Sequence, residues 1–238
     1  MKYLIKTDDY ASLETVDLGL PSHLKWAKCN IGANSEEESG LYFQWGDTKG
    51  YTDKQVGDGE GLKAFSWADY KLSVNGSSTN FSKYNASDSK KNLVLEDDAA
   101  HVIMGGNWRM PTFVEYKELC KNTDIFLVTT EGEEIQGTAQ DYSESVIIEW
   151  EYQTEGILKG IKFYKSDDKQ TYMFVPASGG AGVGSVQGVG QDGGLWSSSL
   201  NSFNVQDACH FSFSAGYGGI VDDSGRFYGL PVRGVLDH

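Results

Sequence analysis

The sequence is poor in features that would each indicate a familiar class of protein. It has only 4 Pro and 3 Cys in 238 residues. No run approaches the roughly 20 apolar residues of a membrane-spanning helix, so we expect no direct membrane insertion. Basic residues are scarce, with 20 Lys and Arg against 34 Asp and Glu and a formal net charge of -14. Because nucleic acids and anionic membrane surfaces attract basic proteins, this balance argues against both as main partners.

The three cysteines, Cys29, Cys120 and Cys209, are far apart and form no CxxC pair. We expect buried free thiols, with one disulfide plus one free thiol as the alternative. A zinc site is not expected, because ligand pairs at short spacing are missing and the chain has only 4 His.

The first residues, Met1 to Asp9, contain no apolar stretch of the kind found in signal peptides. Either the protein is not exported as written, or a leader has been trimmed from it. A complete protein without a leader would instead suggest a phage or prophage receptor-binding part, or a cytoplasmic protein.

Glycine and aromatic residues are abundant, with 29 Gly and 13% aromatics, which favours many turns and short strands. Helices are predicted over 96–104, stopped by Gly105 and Gly106, and after Thr112, which forms a capping box with Glu115. Strands are predicted at the following segments: 24–31, 40–46, 146–150, 160–164, 171–176, 209–214 and 230–235. In 209–214, strict alternation places Phe211 and Phe213 on one face and His210, Ser212 and Ser214 on the other.

Three segments are predicted to be irregular. Residues 47–92 are polar with single aromatics, which favours a packed irregular loop. Residues 179–194 contain eight glycines and are predicted to be a long turn-rich loop. Residues 222–225 are predicted to form a turn. The fold class we predict is α+β, with two short helices and twisted antiparallel sheets with long irregular loops; residues 1–15 are a polar lead-in and 16–238 a single domain.

Motifs for catalysis or cofactor binding are missing. There is no GxSxG, no phosphate-binding GxxxxGK[ST] and no EF-hand spacing. Cys209 and His210 are adjacent on a predicted strand, so their side chains point to opposite faces and do not form a simple dyad. We therefore predict no enzyme activity and no cofactor, with structural calcium at an Asp-rich turn left open.

What remains is a polar and aromatic surface near the C-terminus. Tyr, Asn, Ser and Gly are typical of adaptable binding surfaces, and aromatic rings also stack on sugars. Phe211, Phe213, Trp196 and Phe227 are predicted to belong to the core. The candidate ligand-binding residues are Asn201, Asn204, His210, Tyr217, Asp222, Arg226 and Tyr228.

Several motifs, in order, are similar to those of the Fibrobacter succinogenes major paralogous domain family. The most specific is Trp108-Arg109-Met110-Pro111-Thr112. The others are the segments 16–33, 41–48, 96–102, 174–179, 196–199 and 232–235, so the resemblance covers roughly residues 16 to 236.

The resemblance implies a C-type-lectin-like fold of the formylglycine-generating-enzyme type. It also implies an exported surface protein of Bacteroides-like bacteria, related to the variable binding proteins of diversity-generating retroelements. In that light Trp108, Arg109 and Trp196 are scaffold, and the last strands and loops contact the ligand. The chain lacks the paired C-terminal cysteines that hold copper in the oxidase branch. It also lacks the Glu-Pro-Asn, Gln-Pro-Asp and Trp-Asn-Asp tripeptides of calcium-dependent lectins.

The sequence therefore predicts a non-catalytic, adhesin-like protein that binds a protein or glycan through its C-terminal surface, at the cell surface or outside the cell. The alternatives are a structural subunit of a surface appendage and an enzyme on the same scaffold. The sequence contains nothing that identifies the ligand or the oligomeric state.

Overall fold

The structure of the protein is a computed structural model that describes residues 14–236, apart from the side chains of residues 221–223. Most of the predicted polar lead-in, residues 1–13, lies outside the described residues. Strands dominate the described chain, and helical segments are few and short. None of the described helices has the length and apolar character needed to cross a membrane.

The elements are numbered in chain order. The strands are β1 Thr15–Val16, β2 Lys25–Ala27, β3 Tyr42–Phe43, β4 Trp108–Arg109, β5 Thr123–Thr129, β6 Glu134–Asp141, β7 Val146–Trp150, β8 Leu158–Lys165, β9 Asp168–Pro176, β10 Ser178–Gly182, β11 Ser185–Val189, β12 Asp192–Leu200, β13 Asp207–Ser214, β14 Gly218–Gly225, β15 Leu230–Pro231 and β16 Val235–Leu236. The α-helices are α1 Ala99–Met104 and α2 Phe113–Lys121, and single 3-10 turns span Asp53–Gln55, Trp67–Asp69 and Leu95–Asp97.

The main sheet has eight strands in the order β12-β13-β14-β7-β6-β5-β8-β9, and every neighbouring pair is antiparallel. A four-stranded sheet, β1-β2-β16-β4, joins the two ends of the described chain. The prediction of mostly antiparallel sheets with few helices is confirmed. The closing strand predicted over 230–235 is instead two short strands, β15 and β16, in different sheets.

Both predicted helices are present, and their caps explain their bounds. The Thr112 hydroxyl accepts from the Glu115 amide at 3.3 Å, while the Glu115 carboxylate accepts from the Thr112 amide at 2.7 Å, which completes the capping box. Helix α1 begins later than predicted, because Asp98 acts as its N-cap and accepts from the His101 amide at 2.9 Å. It ends at Gly105, whose φ of 74° suits glycine.

The alternation predicted for β13 is confirmed and separates two cores. Phe211 and Phe213 face the first core, where the Phe211 ring stacks on Tyr116 of α2 with centroids 5.7 Å apart. On the other face, Trp196 of β12 belongs to the second core, and its indole donates to the Phe43 carbonyl at 2.8 Å. The strands β12 and β13 are therefore covered on both faces over much of their length.

The long irregular segment 47–92 is a packed loop, as predicted. Its buried aromatic side chains fill much of the second core and the smaller cluster beside it. The Tyr70 hydroxyl donates to the Trp45 carbonyl at 2.8 Å, and the Tyr84 hydroxyl donates to Asp97 at 2.7 Å. This loop therefore covers one face of the C-terminal strands.

Two local predictions are wrong. The glycine-rich segment is not a long loop, since it contains the hairpin β10–β11. Gly179 has a φ of 59°, and a Cβ there would lie 1.9 Å from the Gln187 carbonyl oxygen, so glycine lets these strands pair closely. Residues 222–225 are not a turn but the end of β14, and the turn follows at 226–228.

Arg233 connects three parts of the chain from a fully buried position. Its guanidinium donates to the Asn30 side chain at 2.8 Å, to the carbonyls of Ala27 and Lys28 at 3.2 and 2.8 Å, and to the Phe174 carbonyl at 3.1 Å. Burial lowers the pKa of Arg233 to about 10, which leaves it charged at neutral pH. The fork shape of the guanidinium lets one side chain hold β9 and the segment after β2 together.

Substitution Arg233→Lys keeps the positive charge but removes the planar guanidinium and the several hydrogen bonds that it donates. We expect the free energy of unfolding to fall by about 3–5 kcal/mol, because buried carbonyls lose their donors. Chemical denaturation monitored by tryptophan fluorescence measures this change. As a control, Lys28→Gln removes an ion pair whose lysine side chain is 45% exposed, and it should leave the midpoint close to that of the wild type. Equal midpoints for the two variants would contradict the role given to Arg233.

Candidate functional site

A groove lies on the outer side of the C-terminal strands, where the second core ends. We call it the C-terminal groove, and its volume is about 270 Å³. It is lined by Gly179, Gly180, Asp192, Gly193, Gly194, His210, Ser212, Phe213, Ser214, Tyr217 and Leu230.

The register of β12 and β13 explains the depth of the groove. Ser212 lies opposite Gly194 and Ser214 lies opposite Asp192. Because Gly194 has no side chain, the space beside Ser212 stays open. Gly179 and Gly180 of β10 line another wall. The floor is thus mostly main chain, and the polar side chains project from β12 and β13.

Tyr217 stands at one end of the groove, on the turn between β13 and β14, and its side chain is 55% exposed. The turn is held by the Ser214 amide, which donates to the Tyr217 carbonyl at 2.8 Å. The Trp150 indole donates to the Ser214 carbonyl at 2.9 Å and ties the turn to β7. Tyr217 is therefore an exposed ring on a well-anchored turn.

Asp192 lines the groove beside this turn, opposite Ser214. Among the described residues its carboxylate has no hydrogen bond or ion pair. Both of its oxygens lie beside Gly188, where an added Cβ would be 2.4 and 2.6 Å from them. Although the residue keeps contact with solvent, this packing partly desolvates the carboxyl and raises its pKa above the ordinary value.

His210 lies deeper along the same face of β13 and is half-buried. Its ring makes an edge contact with Trp196, with centroids 6.0 Å apart and an interplanar angle of 69°. The buried Trp196 therefore helps to fix the position of the imidazole. Together the groove offers an imidazole, two serine hydroxyls, a tyrosine ring and a carboxylate, which suits recognition of a polar ligand.

Of the predicted ligand-binding residues whose side chains the structure describes, only His210 and Tyr217 lie together in the groove. Asn201 and Asn204 lie at the opposite end of the β12–β13 hairpin. With about 3.3 Å of rise per strand residue, the two ends are roughly 25 Å apart. Asp222 lies in β14, and its side chain is outside the described residues.

Asn201 is not a surface residue but is nearly buried, with 6% of its area exposed. Its side-chain oxygen accepts from the amides of Phe203 and Asn204 at 2.6 and 2.7 Å. These bonds shape the turn between β12 and β13, as Asn commonly does in turns. Asn204 is exposed, and its amide group donates to Asp207 at 2.6 Å.

The prediction for Arg226 is wrong, because this side chain is fully buried in the second core. Its guanidinium lies 3.8 Å from the ring centroid of Phe81 and donates to the Tyr84 carbonyl at 3.2 Å. The cation is thus stabilised by aromatic faces. A substitution at this position would damage the scaffold and would not report on a surface.

Tyr228 is 42% exposed but does not line the groove. Its ring stacks on Phe227, with centroids 4.2 Å apart, and lies over Gly182. It therefore packs against the β10–β11 hairpin and forms part of the neighbouring surface.

Sequence reasoning missed the roles of Asp192 and of the glycines around it. The available signals were the glycine pairs 179–180 and 193–194 and the polar face of β13. Two facts could not be read from them: Asp192 lies opposite Ser214, and β10 lies beside β12. Both depend on pairing between residues that are distant in sequence.

Two other concave regions occur in the described part of the chain. The larger, about 940 Å³, lies between β1, the loop after β2 and the tip of β9. Several of its polar groups already have partners: Lys28 pairs with Glu14 at 2.6 Å, and the Tyr172 hydroxyl meets Glu36 at 3.1 Å. A mainly apolar hollow of about 420 Å³ lies beside Phe113 and Leu200. Neither includes an acidic side chain beside an exposed aromatic ring on the C-terminal strands, which the C-terminal groove has in Asp192 and Tyr217.

The three cysteines are free thiols, as predicted, but only Cys120 and Cys209 are buried as expected, since Cys29 is half-buried. Burial raises the pKa of Cys120 to about 12, and burial also raises the pKa of Cys29. Neither is therefore a thiolate at neutral pH. Among the side chains that the structure describes, no group of three His, Cys, Asp or Glu is arranged to hold a metal ion.

Comparison of the chain with protein-family models, with curated protein sequences and with solved structures returns no match.

Substitution Asp192→Asn should slightly stabilise the protein at neutral pH. The pKa of Asp192 is raised, so its ionisation costs stability above that pKa, and the cost disappears as the pH falls below it. Because the side chain keeps solvent contact, we expect a gain within about 0.5 kcal/mol. Thermal unfolding of both proteins between about pH 3 and pH 8 measures it. A loss of stability at neutral pH would contradict the absence of a partner for this carboxylate.

Asp97→Asn is the matched contrast. Desolvation opposes ionisation of Asp97, but hydrogen bonds from Lys83 at 2.8 Å and Tyr84 at 2.7 Å outweigh it and lower its pKa. The stabilisation is complete above the unfolded pKa of about 4 and is lost as the pH falls through the lowered pKa. This variant should lose about 1–3 kcal/mol at neutral pH.

Proposed function

We propose that the protein is a non-catalytic, adhesin-like binding protein that takes a protein or glycan ligand into the C-terminal groove. In this proposal the chain has a C-type-lectin-like fold and acts at the cell surface or outside the cell. The observation that carries the proposal is the groove itself, where an exposed tyrosine, an imidazole, two serines and a carboxylate surround a glycine floor.

Several motif residues that resemble the major paralogous domain family have structural roles, which supports the scaffold part of the proposal. Trp196, which lies on β12, is fully buried in the second core. Arg109 forms a bidentate ion pair with Glu115, with N–O distances of 2.8 and 2.6 Å, next to the start of α2. Arg233 connects the chain ends to β9. These residues hold the strands from which the groove residues project.

The chemistry of the groove supports binding over catalysis. It contains one carboxylate, Asp192, and the register places this residue opposite a serine and not opposite a second acid. Glycoside hydrolysis in its usual form uses two carboxyl groups. The protonated thiols of Cys29 and Cys120 also lack the activation that a cysteine nucleophile needs.

The double variant His210→Ala/Tyr217→Ala tests this proposal. We expect it to lose at least about tenfold in affinity for whichever ligand the wild type binds, because it removes two groups that line the groove. The exposed Tyr217 should contribute little to stability, whereas loss of the half-buried His210 ring should lower the melting temperature, so Tyr217→Ala alone is measured beside the double variant. Labelled protein is screened on a glycan array and against surface-protein fractions, with and without calcium.

Asn204→Ala is the control, because this exposed residue lies at the far end of the β12–β13 hairpin. It should bind like the wild type. Unchanged binding by the double variant, together with loss in Asn204→Ala, would move the site away from the groove.

A further inference from the structure

The size of the C-terminal groove limits what it can hold. Its volume of about 270 Å³ is below the range of roughly 300–1,000 Å³ that is usual for drug-sized ligands. It therefore accommodates one compact unit of a longer ligand, such as a single sugar ring or a single side chain.

The groove residues also define the polarity of that unit. The exposed face of Tyr217 offers an apolar platform, and the hydroxyl of Ser212 can donate and accept hydrogen bonds. The Ser214 hydroxyl is already used in the turn, where it donates to the Tyr217 carbonyl at 3.4 Å and accepts from the amides of Gly216 and Tyr217 at 3.2 and 3.4 Å. A pyranose ring has both an apolar face and several hydroxyl groups, so it can contact the Tyr217 ring and bond to the Ser212 hydroxyl at once. A lysine side chain has an aliphatic stem and would leave the Ser212 hydroxyl without a partner.

The carboxylate of Asp192 determines which charge on the ligand is favoured. This carboxylate lines the groove, has no hydrogen bond or ion pair among the described residues, and packs against Gly188. Asp192 is exposed, so a ligand can reach its carboxylate, and an anion without a protein partner favours a ligand that brings a positive charge to it. Asp192 lies opposite Ser214, whose amide bonds to the Tyr217 carbonyl, so the charge and the ring border the same end of the groove.

We propose that the C-terminal groove binds a sugar residue that carries a free amino group, with the ammonium on Asp192 and the ring against Tyr217. This inference rests on the proposed binding function and names the ligand class for the same groove. The acetylated form of the same sugar has no positive charge and is discriminated against at Asp192.

The experiment measures affinities by isothermal titration for four probes: a glucosamine tetramer, an N-acetylglucosamine tetramer, cellotetraose and tetralysine. Conditions of about pH 6 and about 0.15 M salt keep the amine charged and screen the overall negative charge of the protein. The wild type should bind the glucosamine tetramer at least about tenfold more tightly than cellotetraose or the acetylated tetramer.

Three variants separate the contributions of Asp192, of Tyr217 and of overall charge to the binding affinity. Asp192→Asn should lower the affinity for the glucosamine tetramer to the level of the affinity for cellotetraose. The affinity for cellotetraose itself should change little. Tyr217→Ala should weaken both. Glu96→Gln removes the same unit of charge at a side chain that is 72% exposed and outside the groove, and it should change none of the affinities.

The inference would be overturned by equal affinity for amino and neutral sugars, by a preference that survives Asp192→Asn, or by Asp192-dependent binding of tetralysine without a matching preference for the amino sugar. Absence of binding to all four probes would also overturn it. Binding of a neutral glycan or of a protein that is lost in His210→Ala/Tyr217→Ala but unchanged in Asp192→Asn would leave the proposed function standing and remove only the amino-sugar assignment.

Discussion

The buried guanidinium of Arg233 is the interaction on which the rest of the structure depends. The Arg233 side chain is fully buried. Its guanidinium donates hydrogen bonds to carbonyl groups at the end of β2, directly after β2, and in β9. A buried charge of this kind is tolerated only because the guanidinium makes hydrogen bonds to acceptors inside the protein. The four-stranded sheet of the chain ends is thereby held against the edge of the main sheet, and β12 and β13 lie between two packed cores.

The candidate site depends on that arrangement in an indirect way. Strands β12 and β13 are covered on one face by α2 and on the other by the aromatic loop 47–92, but this cover stops short of Ser214. Beyond that point the glycines of β10 and β12 leave open space, and polar side chains border it. A rigid sheet with one uncovered end is a suitable support for recognition, because its side chains are positioned without a ligand.

Much of the local structure could be predicted from the sequence. The capping box at Thr112 and Glu115, the stop at Gly105 and the alternation of β13 are short-range signals, and the structure has all three. The prediction for the glycine-rich segment is wrong because glycine allows both loops and close strand pairing, and only the partner strand distinguishes them. The prediction for Arg226 is wrong because a charged residue is usually exposed, whereas here Phe81 and Tyr84 enclose it.

By itself, the sequence determined the two α-helices, several of the strands, the wide spacing of the cysteines and the scarcity of basic residues. These follow from composition and from contacts within a few residues. Only the tertiary structure decided that Asn201 shapes a turn, that Arg226 is internal, and that Asp192 lies across from Ser214. The reason is physical: register and burial are set by strands and loops that meet from distant parts of the chain, and no local pattern encodes those distances.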